Sequence, residues 1–527
     1  MTSVPYPIYL RGHPRGSNLS AVGRCRVCPE LAEPELYQEL VEKCVAQANV
    51  DVSSGEKECK KLHKKYMKES VAMATKLMGV HLGLDTSIVD VEVYLKDESH
   101  ITKSQGNLAC CFLDAGATKI VISGSALDAM QCCRLPRDRI VAHFDRPFCS
   151  AYSPADDFEI SFVAAIRAVA NASQFASTLS INFSSAKDDL KDTPTNTPIT
   201  LDVEDIHMLS QLLSGEFTTS VPPQDNGIFV PHELDEEKQE KKLLLSQIHE
   251  DMTLVVQLSP ADLKKDDQDI KELTQTLQAI IAKCGDGKQQ RTDKTLVALV
   301  DPTPLELGMS FAACCKTDRT DGLFATVVCT RNNEALGLVY SSNTSIVAAL
   351  ESGRGVYYSR SRTGLWRKGD TSGHYQILHR IDVDCDGDAL RFTVTQMGED
   401  IKAFCHLDTL SCWRPTKGLR HLEETLTARL MDAPAGSYTK RLFDDEELLR
   451  NKLVEEAQEL SEAQSKDDVA GELADVLYFA MVRAVKAGVS IDDAVKVLDN
   501  RAKKVTRRQG DSKAERIAAG DKILKSA

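Results

Sequence analysis

The 527-residue sequence contains no run of about 18 apolar residues, so no segment is expected to span a membrane. Its opening stretch, MTSVPYPIYLRGHPRG, lacks the apolar core of a secretory leader and the Arg/Ser bias of a transit peptide. Positive charge is not in excess. The formal net charge is −14, which argues against general binding to nucleic acid or to an anionic membrane, while local basic clusters can still hold a phosphorylated ligand. Cysteine is not scarce, at 16 residues. Without an export signal these read as reduced thiols, some of them metal ligands, and a cytoplasmic location is expected.

What is present fits a multidomain globular protein. Hydrophobic residues make up 42% and charged residues 27%, and the length calls for several cores. Residues 1–85 are read as an N-terminal helical extension, from the near-3.6 apolar spacing of PELYQELVEKCVAQA and ESVAMATKLMGVHLG. Cys25 and Cys28 have zinc-knuckle spacing, but no second pair lies at a suitable distance, so free thiols are expected. Residues 86–318 alternate apolar runs with helical stretches. Strands are predicted at 117–124, 139–145, 177–183, 227–231, 253–259 and 295–301, with helices at 159–171 and 266–283. That alternation predicts an α/β domain on a parallel sheet, open or closed into a barrel. It carries no catalytic constellation. Residues 319–418 are β-rich apart from a helix at 342–352. Residues 419–527 predict four helices packed as a bundle, with Asp444 capping the second and Gly488 and Ser490 separating the third from the fourth.

In DVDCDGDAL, Asp384, Asp386 and Asp388 alternate. If 381–394 were one strand, they would share a face and repel by roughly 2–4 kcal/mol per close pair. A hard divalent cation would turn that repulsion into attraction. Cys385 would face the other way, toward a softer metal. Downstream, FCHLDTLSCW supplies Cys405 and Cys412. Three thiolates leave one position of a tetrahedral zinc open, the arrangement that lowers the pKa of a coordinated water, and His374 or His406 could accept the proton. The bland alternatives are buried cysteines acting as small hydrophobes and a solvated acidic turn. An EF-hand does not fit, because Gly387 falls at loop position 4 and Thr395 replaces the bidentate Glu.

Upstream, GRGVYYSRSRTGLWRKGDTSGH combines glycines with Arg354, Arg360, Arg362, Arg367 and Lys368, a set suited to a phosphorylated ligand. With SRTGLWRKGDTSGH, DVDCDGDAL and FCHLDTLSCW in this order, residues 320–415 closely resemble phosphoribosyl-AMP cyclohydrolase. Asp370, where that family often has Glu, and Trp413, where it has Phe or Tyr, are mild departures. The resemblance implies Mg²⁺ at Asp384, Asp386 and Asp388, and Zn²⁺ at Cys385, Cys405 and Cys412, with the zinc site shared between two protomers of a homodimer. Candidate substrate contacts are Arg354, Trp366, Lys368, Thr371 and Ser372. The reaction implied is hydrolytic opening of the adenine ring between N1 and C6.

A second constellation lies in KLVEEAQEL and, twelve residues after Glu459, in GELADVLYF. Glu456 and Glu459 sit three apart beside the apolar stripe of Leu453, Ala457 and Leu460, and Glu472 and Asp475 repeat the spacing. Two facing helices would gather four carboxylates, for which one or two Mg²⁺ ions are the natural partner; two solvated acidic faces are the alternative. Lys440, Lys452, Arg501, Lys504, Arg507 and Arg508 flank them as a polyphosphate would require. With GSYTKRLF before and KVTRRQGD after, residues 420–512 resemble the all-α nucleoside-triphosphate pyrophosphohydrolases, and phosphoribosyl-ATP pyrophosphohydrolase among them. The resemblance implies Mg²⁺ at Glu456, Glu459, Glu472 and Asp475, Glu455 adjacent, and water attack that releases pyrophosphate. Glu455 and Glu472 are the candidate catalytic carboxylates of this region.

The two activities are consecutive in histidine biosynthesis. Residues 109–145 are similar to the N-terminal region of fungal proteins that join these activities, a degenerate barrel-like half. Because the chain stops at Ala527, the histidinol dehydrogenase those proteins carry is expected to be absent. Two other readings are kept: a house-cleaning nucleotide pyrophosphatase with an inactive cyclohydrolase domain, and a non-catalytic zinc-stabilised assembly protein.

Overall fold

The computed structural model describes residues 8–11, 24–51, 56–95, 103–123, 135–144, 172, 174–182, 253–258, 295–300, 303–313, 315, 317–384, 387–398, 402–413, 418–434, 436–506, 518 and 522. The strand predicted at 227–231 and the helices predicted at 159–171 and 266–283 lie outside them. The chain divides into two units, Met1–Ala403 with Lys503–Val505, and Phe404–Ala502 with Thr506–Ala527.

In the first unit, eight parallel strands close a barrel: β1 (Ile8–Arg11), β2 (Arg24–Val27), β3 (Asp90–Tyr94), β4 (Lys119–Ser123), β5 (Ile140–Phe144), β6 (Thr178–Asn182), β7 (Thr253–Leu258) and β8 (Thr295–Val300). β1 completes the circuit against β8, with Ile8 opposite Val297. The runs predicted at 117–124, 139–145, 177–183, 253–259 and 295–301 each contain one of these strands. Their β-branched residues suit a surface buried on both faces. Two expectations change. The barrel is a full circuit and not a half. Residues 1–85 are not a separate helical extension, because β1 and β2 belong to the barrel; four-residue strands are too short to show a period among helical neighbours. The helices read there are α2 (Pro34–Ala48) and α3 (Lys57–Lys76), which follow α1 (Pro29–Ala32) and pack with α4 (Lys103–Asp114).

Alternation sorts the strand residues. Cys25, Val27, Val91, Val93, Ile120 and Ile122 are buried on one face, and burial pushes the Cys25 thiol far above its ordinary pKa. The other face mixes polar side chains with the buried Val121 and Val141. Arg26, only 2% exposed, donates from Nε and Nη2 to Glu92 Oε2 at 2.9 and 2.6 Å, and from Nη1 to Ser180 Oγ at 2.9 Å. β2 and β6 are not neighbours, so this contact crosses the barrel interior. His143 Nδ1 lies 3.3 Å from Ser180 Oγ, and its ring meets Tyr94 edge-on at 5.4 Å. Lys119 Nζ donates to Thr178 Oγ1 at 2.5 Å. Barrels of this type usually fill the interior with branched apolar side chains; among the described residues an ion pair and hydroxyls share it with Val121 and Val141.

α5 (Pro304–Ala313) leads from the barrel to a six-stranded sheet and packs on α6 (Asn343–Ser352). Gly308 permits the approach, since a Cβ there would lie 2.9 Å from Val347 Cα. The sheet order is β12 (Gly364–Arg367), β11 (Val356–Ser359), β10 (Ala335–Ser341), β9 (Phe324–Cys329), β14 (Ala389–Gln396), β13 (Gln376–Val383). Neighbours are antiparallel except β14 and β9. Ile346, Ala349 and Leu350 of α6 and Val356, Phe392 and Val394 of the sheet are buried. Within this unit Arg331 pairs with Asp85, and Arg380 donates to Ile88 O at 2.7 Å, tying the sheet to the segment before β3. Arg139 donates to Lys503 O at 2.8 Å, which holds residues 503–505 here.

The second unit is helical: α7 (Gly418–Met431), α8 (Tyr438–Asp444), α9 (Glu446–Glu462), α10 (Lys466–Lys486) and α11 (Ile491–Ala502). Its core joins Leu426, Leu442, Phe443, Leu449, Phe479, Val482 and Val485. Four helices were predicted. Among the described residues there are five, since the seven-residue α8 is too short for its period to be read. The cap of α9 is Asp445, not Asp444, which ends α8; Asp445 accepts from Leu448 N at 2.9 Å. Gly488, at φ 68°, closes α10, and Ser490 opens α11 by exchanging hydrogen bonds with Asp493.

Candidate functional site

Four pieces of candidate site can be built. The first is the loop around β12. Arg354 Nη1 lies 3.2 Å from Asp370 Oδ1, its Nη2 donates to Lys368 O at 3.1 Å, and its guanidinium lies 5.4 Å from the centre of the Tyr375 ring. Lys368 is buried, with Nζ 5.9 Å from the Trp366 ring centre. Thr371 and Ser372 are exposed, and Ser372 Oγ accepts from His374 N at 3.3 Å. The loop's shape depends on glycines. Gly369 has φ 92°, and a Cβ there would lie 2.4 Å from Tyr375 N. A Cβ on Gly355 would lie 2.0 Å from Gln376 Oε1, which already accepts from Tyr357 Oη at 2.6 Å, while Gln376 Nε2 donates to Gln396 at 3.0 Å. Thus Lys368, Thr371, Ser372 and His374 lie on the loop after β12, Trp366 on that strand, and Arg354 before β11 reaches the loop through Asp370 and Lys368. Tyr375 was missed by the sequence reading; its cue is adjacency to the GDTSGH run.

The second piece is the aspartate segment. It is not a strand. β13 ends at Val383 and β14 begins at Ala389, so Asp384 and Asp388 lie in the connection of a hairpin. Asp384 Oδ1 accepts from Gly387 N, Asp388 N and Ala389 N at 3.0, 3.0 and 3.1 Å, and Gly387 takes φ 86°. Alternating polarity imitated a strand; the glycine and the aspartate's reach for backbone donors decided for a turn. Cys385 and Asp386 lie outside the described residues.

The third piece, in the second unit, is the turn carrying Cys405, His406 and Cys412. Cys405 N donates to Thr409 O at 3.0 Å and Asp408 adopts φ 56°. The Leu407 backbone N–H, then the Thr409, Cys412 and His406 donors, pull the Cys405 thiol below its ordinary pKa. His406 Nδ1 lies 3.9 Å from Cys405 Sγ. A thiol biased toward thiolate beside a second cysteine suits a soft metal. Asp384, Asp388 and His374 belong to the first unit and Cys405, His406 and Cys412 to the second.

The fourth piece is the most complete. Ligand oxygens of Glu456, Glu459 and Glu472, from α9 and α10, lie within 4.8 Å of one another, and this is the one such group among the described residues. Glu456 is buried on α9, one turn after Lys452. Desolvation, then the charges of Glu459, Glu456 and Asp475, hold the Glu472 carboxyl above its ordinary pKa. Asp475 thus acts on the cage without joining the triad. Three carboxylates clustered this closely suit a hard dication. Lys452 Nζ lies 2.8 Å from Glu455 Oε2 and 3.1 Å from Glu456 Oε1. Leu453 packs on the core as expected, whereas Ala457 is exposed. Lys440 pairs with Asp444 at 3.5 Å and lines a 760 Å³ cavity with Ser437, Arg441 and Asp445. Ser437, which caps α8, was not singled out from sequence. Arg501 is exposed on α11, Lys504 lies in the first unit, and Arg507 is outside the described residues.

Two family models match the chain: phosphoribosyl-AMP cyclohydrolase over residues 337–414 and phosphoribosyl-ATP pyrophosphohydrolase over residues 419–502. A histidine biosynthesis bifunctional protein, his7, of Schizosaccharomyces pombe is 52% identical over 213 residues, 40% of this chain and 50% of that protein. A histidine biosynthesis trifunctional protein of Komagataella pastoris is 50% identical over 242 residues, 46% of this chain and 28% of that protein. The histidine biosynthesis bifunctional protein HisIE of Caldanaerobacter subterraneus is 34% identical over 185 residues, 32% of this chain and 88% of that protein. The chain thus spans half or less of the length of the fungal relatives.

Proposed function

We propose a two-step hydrolase, on the premise that the chain belongs to the histidine-biosynthesis bifunctional family, in which a phosphoribosyl-AMP cyclohydrolase region precedes a phosphoribosyl-ATP pyrophosphohydrolase region. The substrates are phosphoribosyl-ATP and then phosphoribosyl-AMP. The domains run 1–318, with the barrel, 319–418 for ring opening and 419–527 for pyrophosphate release. The carboxylate triad of Glu456, Glu459 and Glu472 carries this reading most directly.

In the helical region the triad, with Asp475, would hold Mg²⁺, which neutralises polyphosphate charge when bound. Lys440, Lys452 and Arg501 orient the phosphates. Glu455, which accepts from Lys452 at 2.8 Å, would take the proton of the attacking water as the phosphoanhydride bond breaks.

In the cyclohydrolase region Arg354, Lys368, Thr371 and Ser372 bind phosphate oxygens and Trp366 offers a flat apolar surface to the base. Cys405 and Cys412, with Cys385, would hold Zn²⁺, which activates water when bound; Asp384, Asp386 and Asp388 would hold Mg²⁺. His374 or His406 moves the proton released as water adds at C6 and the N1–C6 bond opens. Cys385 and the other two thiols come from different protomers of a homodimer in this reading, and the thiol-rich chain works in the reducing cytoplasm.

The test is substrate choice. Phosphoribosyl-ATP should yield pyrophosphate and the ring-opened product, while a panel of ordinary nucleoside triphosphates yields little pyrophosphate. Equal turnover of the panel with no ring-opened product would favour a house-cleaning pyrophosphatase instead.

A further inference from the structure

The carboxylate triad is not left without positive charge. Among the described residues, Lys452 is the one cation within ion-pair distance of a triad carboxylate, at 3.1 Å from Glu456. The same ammonium reaches Glu455 at 2.8 Å and lies 5.9 Å from the centre of the Phe479 ring. Three other basic residues of the helical unit are paired elsewhere: Lys440 with Asp444, Lys486 with Glu446, Arg450 with Glu447. Phe479 and Leu453 fix α9 against α10 through the core, so the triad cannot relieve its repulsion by separating the helices. A cation or a proton must offset it.

Glu456 therefore faces two claimants. Its Oε1 contacts Lys452, and Glu456 also belongs to the triad suited to a dication. A dication among these oxygens would withdraw the field that holds the ammonium and repel it at close range. Lysine suits displacement, being a compact charge on a flexible four-carbon stem. We propose that Lys452 is a displaceable counter-ion: it neutralises the metal-free cage and leaves Glu456 when a divalent cation takes the triad, which frees its ammonium for a substrate phosphate. The inference rests on the metal-binding reading of the triad and adds to it a competition between two cations for one carboxylate. Lys452 is in this respect a positioning residue, acting through Glu456.

Competition predicts a sign that simple support does not. Removing the lysine charge should tighten metal binding, because the competitor is gone. The probe is Mn²⁺ alone, titrated into the full-length protein and followed by calorimetry and by the paramagnetic signal of free ion. Glu472→Gln identifies the helical-cage site as the binding that it removes. For that site Lys452→Met should bind Mn²⁺ about fivefold more tightly, the scale of one part-exposed ion pair, and Lys452→Gln should behave alike. Lys452→Arg, which keeps the charge, should restore near-wild-type affinity. Unchanged or weaker binding in both neutral variants would overturn the counter-ion role while leaving the metal site standing. If Glu472→Gln removes no Mn²⁺ site from the wild-type protein, the metal reading itself falls, and the inference with it.

Discussion

At the scale of single residues, the cage is governed by how its carboxylates hold protons. Burial and three acidic neighbours raise the Glu472 pKa above its ordinary 4.5. A carboxyl with a raised folded-state pKa contributes stability that is present below 4.5 and lost as pH rises through the raised value. Metal-free protein should therefore lose this contribution of Glu472 on going from acid toward neutral pH. Thermal unfolding of the metal-free protein, compared with Glu472→Gln, checks it: the glutamine variant should lack this part of the pH slope. The same proton competes with a dication, so Mn²⁺ affinity should rise with pH until Glu472 is ionised. A second residue-scale prediction concerns Gly355. A methyl group there would press on Gln376 Oε1 and disturb the buried Tyr357–Gln376–Gln396 chain. Gly355→Ala should destabilise the first unit by about 2 kcal/mol, read by denaturant unfolding.

At the scale of elements, the outcome of sequence reading follows from length and period. Strands β4 to β8 stood out as apolar runs between helical stretches. β1 and β2, four residues each, did not, and they were absorbed into a supposed helical extension. The aspartate turn was misjudged for a related reason: alternation at 384, 386 and 388 imitates a strand, while the decisive interactions are backbone donors gathered by Asp384. The triad was legible because two three-residue spacings on amphipathic helices dictate which side chains meet. The barrel's inner network was not. Arg26, Glu92 and Ser180 are separated by 66 and 154 positions from Arg26, and only strand order brings them together. Since Glu92 pairs with the buried Arg26, Glu92→Ala should remove one partner of a buried ion pair and cost about 3–5 kcal/mol. Calorimetry should show that loss in the unfolding of the first unit. For α9, Asp445→Ala should cost about 1 kcal/mol in the helical unit through the lost cap.

At the scale of the whole molecule, the proposed function puts two linked reactions in one chain, with the region for the second step preceding the region for the first. In the proposed reading the product of the helical region is the substrate of the β-rich one, so both activities would be present in fixed ratio. The two proposed ligand sets differ as the two metals would require, with oxygens gathered at the triad and thiols offered by the turn at 405–412. The central claim is that each region works with its own residues. It is tested most directly by assaying wild-type, Glu472→Gln and Cys405→Ala full-length proteins with phosphoribosyl-ATP and, separately, with phosphoribosyl-AMP, measuring pyrophosphate and ring-opened product. The account predicts that Glu472→Gln loses pyrophosphate release yet still opens the ring of supplied phosphoribosyl-AMP, and that Cys405→Ala releases pyrophosphate but accumulates phosphoribosyl-AMP. Loss of both activities in each variant, with folding intact, would contradict it.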